Sequence, residues 1–375
     1  MKILLTGGGT GGHFYPLIAI AEELNRIADE EKFINFKLYY MSDAPYNEEA
    51  LKQQFITFMK VPAGKMRVYF SIQNFFDMFK TAYGVIVALF KLYNLYPDVI
   101  VSKGAYASFP VLFAARILRI PVIIHESDTV PGRVSKWSGK FARRIAVSYP
   151  EAAAYFDETK VSVTGQPVRQ TISRAAKEGA KEFYELDPNM PTIGIFAGSQ
   201  GAEAINKVIE QLLPSLVEKY QIIHQTGNGN IDEARIDAGI ILGDSTRRTR
   251  YHPYGSLNDL QTKMFGGAVD LVIGRSGSSV FEIAAWGKPS ILVPYPHAHD
   301  DHQRKNAYHY ARTGACVVIE EQNLTPSVLM TEIEEILGDK QRYDIMSEHA
   351  KHFYKPDAAH VIAAEAIKVS LEHEK

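Results

Sequence analysis

Cysteine is almost absent from this chain. Cys316 is the only one in 375 residues, so no intrachain disulfide can form and a reducing compartment is the expected setting. Long apolar runs are missing as well. No stretch approaches the roughly 18 uninterrupted apolar residues that span a bilayer. The first apolar run, Ile3 to Leu5, breaks into glycines far too early for a signal-peptide core. Nor is there an excess of charge: 41 Lys+Arg stand against 43 Asp+Glu, which argues against a polyanion partner such as nucleic acid. No solenoid-length repeat and no low-complexity segment is present. These absences predict a soluble cytoplasmic protein, and its length suits two domains rather than one core.

What the chain does have is alternation. Short apolar runs bounded by turn residues, such as 1–5, 36–40, 99–102, 122–125, 145–147 and 161–163, are separated by longer amphipathic stretches such as 16–29 and 109–118. That rhythm predicts strand-helix units around a parallel sheet. A second series runs through 192–196, 220–225, 240–242, 271–273, 290–293 and 316–319, predicting a second Rossmann-like domain. The break is placed near Gly165-Gln166-Pro167-Val168-Arg169, before a helix expected over 174–184. The expected division is therefore 1–165 and 166–356, with a final helix at about 357–375 packing back on the first domain. The balanced total charge hides a local bias. Residues 61 to 145 hold twelve Lys/Arg against four Asp/Glu, a basic region in the first half.

Three glycine-rich turns each follow an apolar run: Gly7-Gly8-Gly9-Thr10-Gly11-Gly12-His13, Gly198-Ser199-Gln200-Gly201-Ala202, and Arg275-Ser276-Gly277-Ser278-Ser279. A glycine turn between strand and helix lets backbone approach an anion, and the unpaired N–H groups of the helix start then point at it. Three such turns over two halves suggest a nucleotide-sugar enzyme. Gly7, Gly9 and Gly12 also satisfy the dinucleotide fingerprint. That fingerprint wants an acidic residue about 20 positions on, whereas the nearest, Asp43, lies about 30 past Gly12, which argues against a nicotinamide cofactor. His13 ends the first turn beside Thr10, either facing a bound hydroxyl or phosphate or packing locally. Glu282 lies one helical turn past Ser278, where a carboxylate can hold the two hydroxyls of a ribose. His297, His299, Asp300, Asp301 and His302 have the chemistry of metal ligands, but their spacing matches no standard zinc arrangement, and a polar loop over a sugar needs the same groups.

The segments GGGTGGHFYPLIAIAEEL, GAYASFP, HESDTVPG, TGQPVR, GSQGAEAIN and GRSGSSVFEIAAWGKPSILVPYPHAHDDHQRKNA, in this order, resemble the MurG family. Those enzymes transfer N-acetylglucosamine from its UDP derivative to undecaprenyl-diphosphate-linked muramoyl-pentapeptide. The resemblance implies an α/β GT-B fold of two Rossmann-like domains, an inverting mechanism, no cofactor and no obligatory metal. It places the acceptor at Thr10, Gly11, Gly12, His13, Tyr106, Ser108 and Asp128, with His13 or Glu126 as the base. The donor falls to Arg169, Ser199, Gln200, Leu257, Ser278, Glu282, His302 and Gln303. Three departures stand out. Ser102-Lys103-Gly104 replaces paired glycines, with Phe109 at a place where glycine is common. Ser127-Asp128 replaces the usual Gln-Asn, and His302-Gln303 a Gln-Gln pair. Asp128 beside Glu126 adds negative charge near a diphosphate that Lys103 or Arg133 has to offset.

A lipid-linked acceptor implies membrane contact. Ile72, Phe75, Phe76 and Phe79 recur at helical spacing with Lys65, Arg67 and Lys80 nearby, a pattern that suits an anionic membrane surface and peripheral attachment at the inner face. Other readings of the same motifs are a transferase of this fold with a different acceptor, a non-hydrolysing UDP-N-acetylglucosamine epimerase, and a non-catalytic nucleotide-sugar sensor.

Overall fold

The computed structural model describes residues 1–65, 72–198, 201–243 and 246–373. The chain divides into two compact units, Met1–Arg169 with Lys355–Lys375, and Gln170–Tyr354. The division falls between Arg169 and Gln170, so Arg169 is the last residue of the first unit's main segment.

The first unit holds seven parallel strands: β1 (Lys2–Thr6), β2 (Lys37–Ser42), β3 (Ile56–Lys60), β4 (Val99–Ser102), β5 (Val122–Glu126), β6 (Arg144–Val147) and β7 (Val161–Val163). Their order is β3-β2-β1-β4-β5-β6-β7, in register Leu4↔Tyr39 and Leu4↔Ile100 on either side of β1. The strands read as unbroken apolar runs because both faces are covered. Ile3, Leu5, Val99, Val101 and Ile123 enter one core with Phe14, Leu17 and Ile20 of the helix Gly11–Glu30. Leu4, Ile100, Val122 and Ile124 enter the other with Ala88, Leu92, Val111 and Leu112. The last helix, Ala358–His373, buries Ile362, Ala363, Ala366 and Ile367 in the first of these cores. Ion pairs of 2.7 Å from Arg144 to Glu365 and 3.2 Å from Arg143 to Glu372 fix it further.

The second unit holds six parallel strands: β8 (Thr192–Phe196), β9 (Gln221–Gln225), β10 (Tyr251–Tyr254), β11 (Leu271–Gly274), β12 (Ser290–Leu292) and β13 (Cys316–Val318), in the order β10-β9-β8-β11-β12-β13. Ile193, Ile195, Ile222, Leu271, Ile273 and Ile291 form its main core with Ile205, Ile209, Leu213 and Leu216 of the helix Glu203–Lys219. On the other face Gly194 leaves room for the Phe265 ring and Val269, which a Cβ would strike.

Two local expectations need correction. Residues 240–242 are not a strand but the end of the helix Ile231–Leu242. Ala234, Ala238 and Leu242 are buried at helical spacing while Ile240 is 76% exposed, and Asp232 and Glu233 sit in the first turn, where the helix dipole favours them. The edge place in that sheet goes to β10. The helix expected over 174–184 is replaced by two short ones, Gln170–Ser173 and Ala180–Phe183, the second started by Gly179 at φ +72°.

Among the described residues no helix is long and apolar enough to cross a membrane.

Candidate active site

Each sheet changes direction of build-up once, between β1 and β4 and between β8 and β11, and an open parallel sheet binds ligands in the crevice at the strand C-termini there. All three glycine turns open at these two crossovers.

In the first unit, Gly8 and Gly9 take φ of +152° and +89°. A Cβ on Gly9 would lie 3.1 Å from the Tyr106 ring, so the turn needs glycine to pass under that side chain. Thr10 starts the helix Gly11–Glu30 in extended backbone, and its hydroxyl is 2.9 Å from His13 Nδ1. Gly11 and Gly12 form the first helical residues. Tyr106 lies in the turn after β4, and its hydroxyl donates to Asp43 Oδ2 at 3.0 Å. Asp43 stands just past β2, where a dinucleotide fold places its ribose carboxylate, and here it accepts from Tyr106 and, at 3.2 Å, from Ser42. Burial and the Asp43 charge push the Tyr106 phenol up to about 12. Ser108 is fully buried and donates to the carbonyls of Gly104 and Ala105 at 2.6 and 2.9 Å, which shapes the loop from within. Ala105 itself takes φ +67°, ψ 164°.

The turn after β5 is tied by Glu126. Its Oε1 accepts the N–H groups of Ser127 and Asp128 at 2.8 and 3.1 Å, and its Oε2 that of Gly132 at 3.2 Å. Burial, then the Asp128 charge, raises the Glu126 pKa, and Lys103 opposes that rise. Asp128 is half-buried at the same turn. His125 is fully buried, with Nε2 3.1 Å from the Gly165 carbonyl, and burial lowers its pKa far below the ordinary imidazole value. It is therefore a neutral framework residue. Arg169 is buried in the first unit, its guanidinium 3.9 Å from the centroid of the Tyr15 ring in the helix that begins at the first glycine turn.

In the second unit, Gly198 and Gly201 flank the turn after β8 at φ +76° and +73°. A Cβ on Gly201 would strike the Thr226 carbonyl. Ser199 and Gln200, between them, lie outside the described residues, as do Arg67 and the side chains of Ile72 and His299. After β11 the turn Arg275–Ser278 leads into the helix Ser279–Trp286, and Ser278 makes no side-chain cap of its own. Glu282 is half-buried in the first turn of that helix. Ser276 donates to the Gln303 carbonyl at 2.7 Å, and Gln303 Oε1 accepts the Tyr295 N–H at 3.0 Å. Arg275 pairs with Glu321 at 2.6 Å. His302 opens the helix His302–Ala311, and Leu257 lies between β10 and the capping box of Asn258 and Gln261. No group of three or more His, Cys, Asp or Glu side chains among the described residues is placed to hold a metal ion.

Two such sheets in one chain, each with a glycine turn at its crossover, are the architecture of the GT-B fold. Residues 3–147 match the Glycosyltransferase family 28 N-terminal domain, and residues 192–362 match the corresponding C-terminal domain. The chain is 33% identical over 346 residues to the UDP-N-acetylglucosamine–N-acetylmuramyl-(pentapeptide) pyrophosphoryl-undecaprenol N-acetylglucosamine transferase of Clostridium novyi, covering 91% of this chain and 92% of the relative. It is 32% identical over 365 residues to the enzyme of the same name from Borrelia hermsii, covering 96% and 95%. The crystal structure of Acinetobacter baumannii MurG superposes with a TM-score of 0.71 at 25% identity, over 98% of this chain and 99% of that one. A UDP-GlcNAc 2-epimerase from Neisseria meningitidis shares the fold at the same TM-score and 16% identity, over 98% of this chain and 100% of that one. The chain belongs to the MurG family of UDP-N-acetylglucosamine-dependent hexosyltransferases.

Several interactions at these turns left no mark in the sequence. The Tyr106–Asp43 bond joins residues 63 apart, and the Arg169–Tyr15 stack joins residues more than 150 apart. The contact of Lys103 with Ser127 is of the same kind. Only the charge argument about Asp128 hinted at it.

Proposed function

We propose that this protein transfers N-acetylglucosamine from UDP-N-acetylglucosamine to the 4-hydroxyl of undecaprenyl-diphosphate-linked N-acetylmuramoyl-pentapeptide, the step from lipid I to lipid II in peptidoglycan synthesis. One observation carries this reading. Both crossover crevices bear glycine turns, in a chain that matches enzymes of that name over nine-tenths of its length.

The acceptor hydroxyl loses a proton as it attacks the anomeric carbon, so a base has to lie within reach. Glu126 spends both oxygens on three backbone N–H groups, which suits an anchor for the loop. His13, half-buried beside Thr10 at the mouth of the first turn, is the better base. Thr10, Gly11 and Gly12 then offer N–H groups to the acceptor diphosphate, flanked by Tyr106 and Asp128. On the donor side the positive end of the helix Ser279–Trp286, with Ser278 at its start, faces the charge that grows on departing UDP. Glu282 takes the ribose hydroxyls. His302 and Gln303 are assigned to the sugar, Leu257 to the uracil, and the glycine turn after β8 to the diphosphate, whereas Arg169, expected at the diphosphate, belongs to the first unit and stacks on Tyr15.

Attachment to the membrane falls to the helix Ile72–Leu95. Phe75, Phe79, Tyr83, Ile86, Phe90 and Tyr93 recur at three- and four-residue steps and are each more than half exposed. Ala88 and Leu92 on the opposite side are fully buried. With the basic bias of residues 61–145, this stripe supports peripheral binding to anionic lipid at the inner face of the cell membrane.

The test is an assay of the purified protein with UDP-N-acetylglucosamine and a short-chain analogue of the lipid-linked acceptor, in the presence of a chelator. Release of UDP with formation of the disaccharide product is expected. Donor binding without product overturns the acceptor assignment, and product formation only on adding a divalent cation overturns the metal-free mechanism.

A further inference from the structure

Lys103 and Ser127, in the turns after β4 and β5, touch each other. Lys103 follows β4 directly and Gly7 follows β1 directly, so Lys103 forms the floor of the first crevice. Its N–H donates to the Thr6 carbonyl at 2.9 Å. Its Cβ is so close to Gly7 that a Cβ there would lie 3.1 Å away. The Lys103 side chain is 2% exposed, and its ammonium donates to Ser127 Oγ. Ser127 passes the contact on, donating to Gln166 Oε1 at 2.6 Å, which also accepts from Ser148 at 2.9 Å. A buried lysine persists only where nearby charge and hydrogen bonds offset its desolvation. The titratable groups facing it are Glu126 and Asp128, which favour its charge, and His125, which is held neutral.

Charge counting sharpens this. The turn holds two carboxylates, Glu126 and Asp128, against one ammonium. Lys103, 25 residues from Asp128 in sequence, therefore offsets one of the two negative charges.

We propose that Lys103 is a positioning residue of the acceptor half, a buried cation on the crevice floor that balances Asp128 and sets the affinity of the first glycine turn for a diphosphate. This rests on the assignment of the acceptor to the first unit. Burial pushes the Lys103 ammonium down to about 8, against the pull of Glu126 and Asp128, so its charge is lost on mild alkalinisation. A diphosphate is by then fully ionised and contributes no change of its own.

The experiment is calorimetric binding of geranyl diphosphate at about 0.15 M salt, from pH 6.5 to 9.5. It compares the wild type with Lys103→Met, Asp128→Asn and the double variant. At neutral pH, Lys103→Met is expected to bind roughly tenfold more weakly and Asp128→Asn severalfold more tightly. The double variant, with wild-type net charge, should return to within about threefold of wild type. Wild type should weaken as pH passes about 8, and Asp128→Asn at a lower pH because Asp128 no longer supports the Lys103 ammonium, whereas both Met variants should not. UDP-N-acetylglucosamine affinity, a property of the second unit, should be the same in all four.

A flat wild-type profile above pH 8, or an unchanged affinity in Lys103→Met, overturns the proposal. So does a double variant as weak as the single one. If Lys103→Met fails to fold, the wild type and Asp128→Asn still decide it through the pH limb. Failure of the transferase reading is separate: it would show as no disaccharide from the wild type and would leave this charge series intact.

Discussion

At the scale of single residues, Ala105 is the most strained position beside the proposed acceptor site. Its φ of +67° with ψ 164° belongs to a region populated almost only by glycine. Replacing Ala105 by Gly is expected to stabilise the first unit by about 1 kcal/mol, read as a higher denaturation midpoint with an unchanged slope. A lower midpoint would mean that the methyl group packs better than the backbone strains. His13 is tested at the same scale. His13→Ala should lower kcat by about 10²–10⁴ with little effect on UDP-N-acetylglucosamine affinity, and near-normal turnover would end its role as base. The glycines and His13 were legible in the sequence, since backbone chemistry at a strand-to-helix turn is local. The partners of Tyr106, Arg169 and Lys103 were not, because nothing within ten residues of each encodes which distant turn it will meet.

At the scale of elements, the helix Ile72–Leu95 and the strand β9 make opposite use of their exceptional residues. On the helix, aromatic side chains stay in water at six positions among the described residues, including Phe75 at 58% and Tyr93 at 71% exposure. The triple variant Phe76→Ser, Phe79→Ser, Phe90→Ser should lose most binding to anionic liposomes, at least tenfold on the area it removes, while its near-ultraviolet dichroism keeps the folded signature. Liposome binding equal to wild type would remove the helix from the membrane. Its periodicity was visible early, but only over its first two turns; the stripe continues because Ala88 and Leu92, with Leu89 and Leu95 beside them, pack inward and leave the opposite side uncovered. On β9, His224 is fully buried between the Asn206 carbonyl oxygen at 3.0 Å and the Tyr251 hydroxyl at 2.9 Å. Burial lowers its pKa from 6.5 to about 3. Unfolding therefore takes up a proton between those values, so stability of the second unit is full above pH 6.5 and falls as pH drops toward 3. The loss approaches about 4 kcal/mol at the lower end, and a shallower acid slope in His224→Gln is the expected measurement.

On the scale of the whole molecule, both parallel sheets were legible because strands covered on two faces read as plain apolar runs. The weakest signals were at sheet edges. β3 and β10 are half-polar, and the pattern that suggested a strand at 240–242 was the tail of an amphipathic helix. The two-unit plan also makes a prediction. Removing residues 355–375 should strip Ile362, Ala363, Ala366 and Ile367 from the first unit's core and cost several kcal/mol there. UDP-N-acetylglucosamine binding, proposed for the second unit, should survive. Thermal unfolding of the truncated chain beside a donor titration checks both halves, and loss of donor binding would show that the units do not fold separately.

That plan has a consequence during synthesis. The chain leaves the first unit at Arg169 and returns to it only at Lys355, so a ribosome completes the second unit while the first still lacks its last helix. For the time needed to make some 185 residues, Ile18, Leu24 and their neighbours wait for a cover that is still unmade. A nascent chain in that state is a natural client for chaperones that bind apolar surface, and a late nonsense mutation would leave it there permanently.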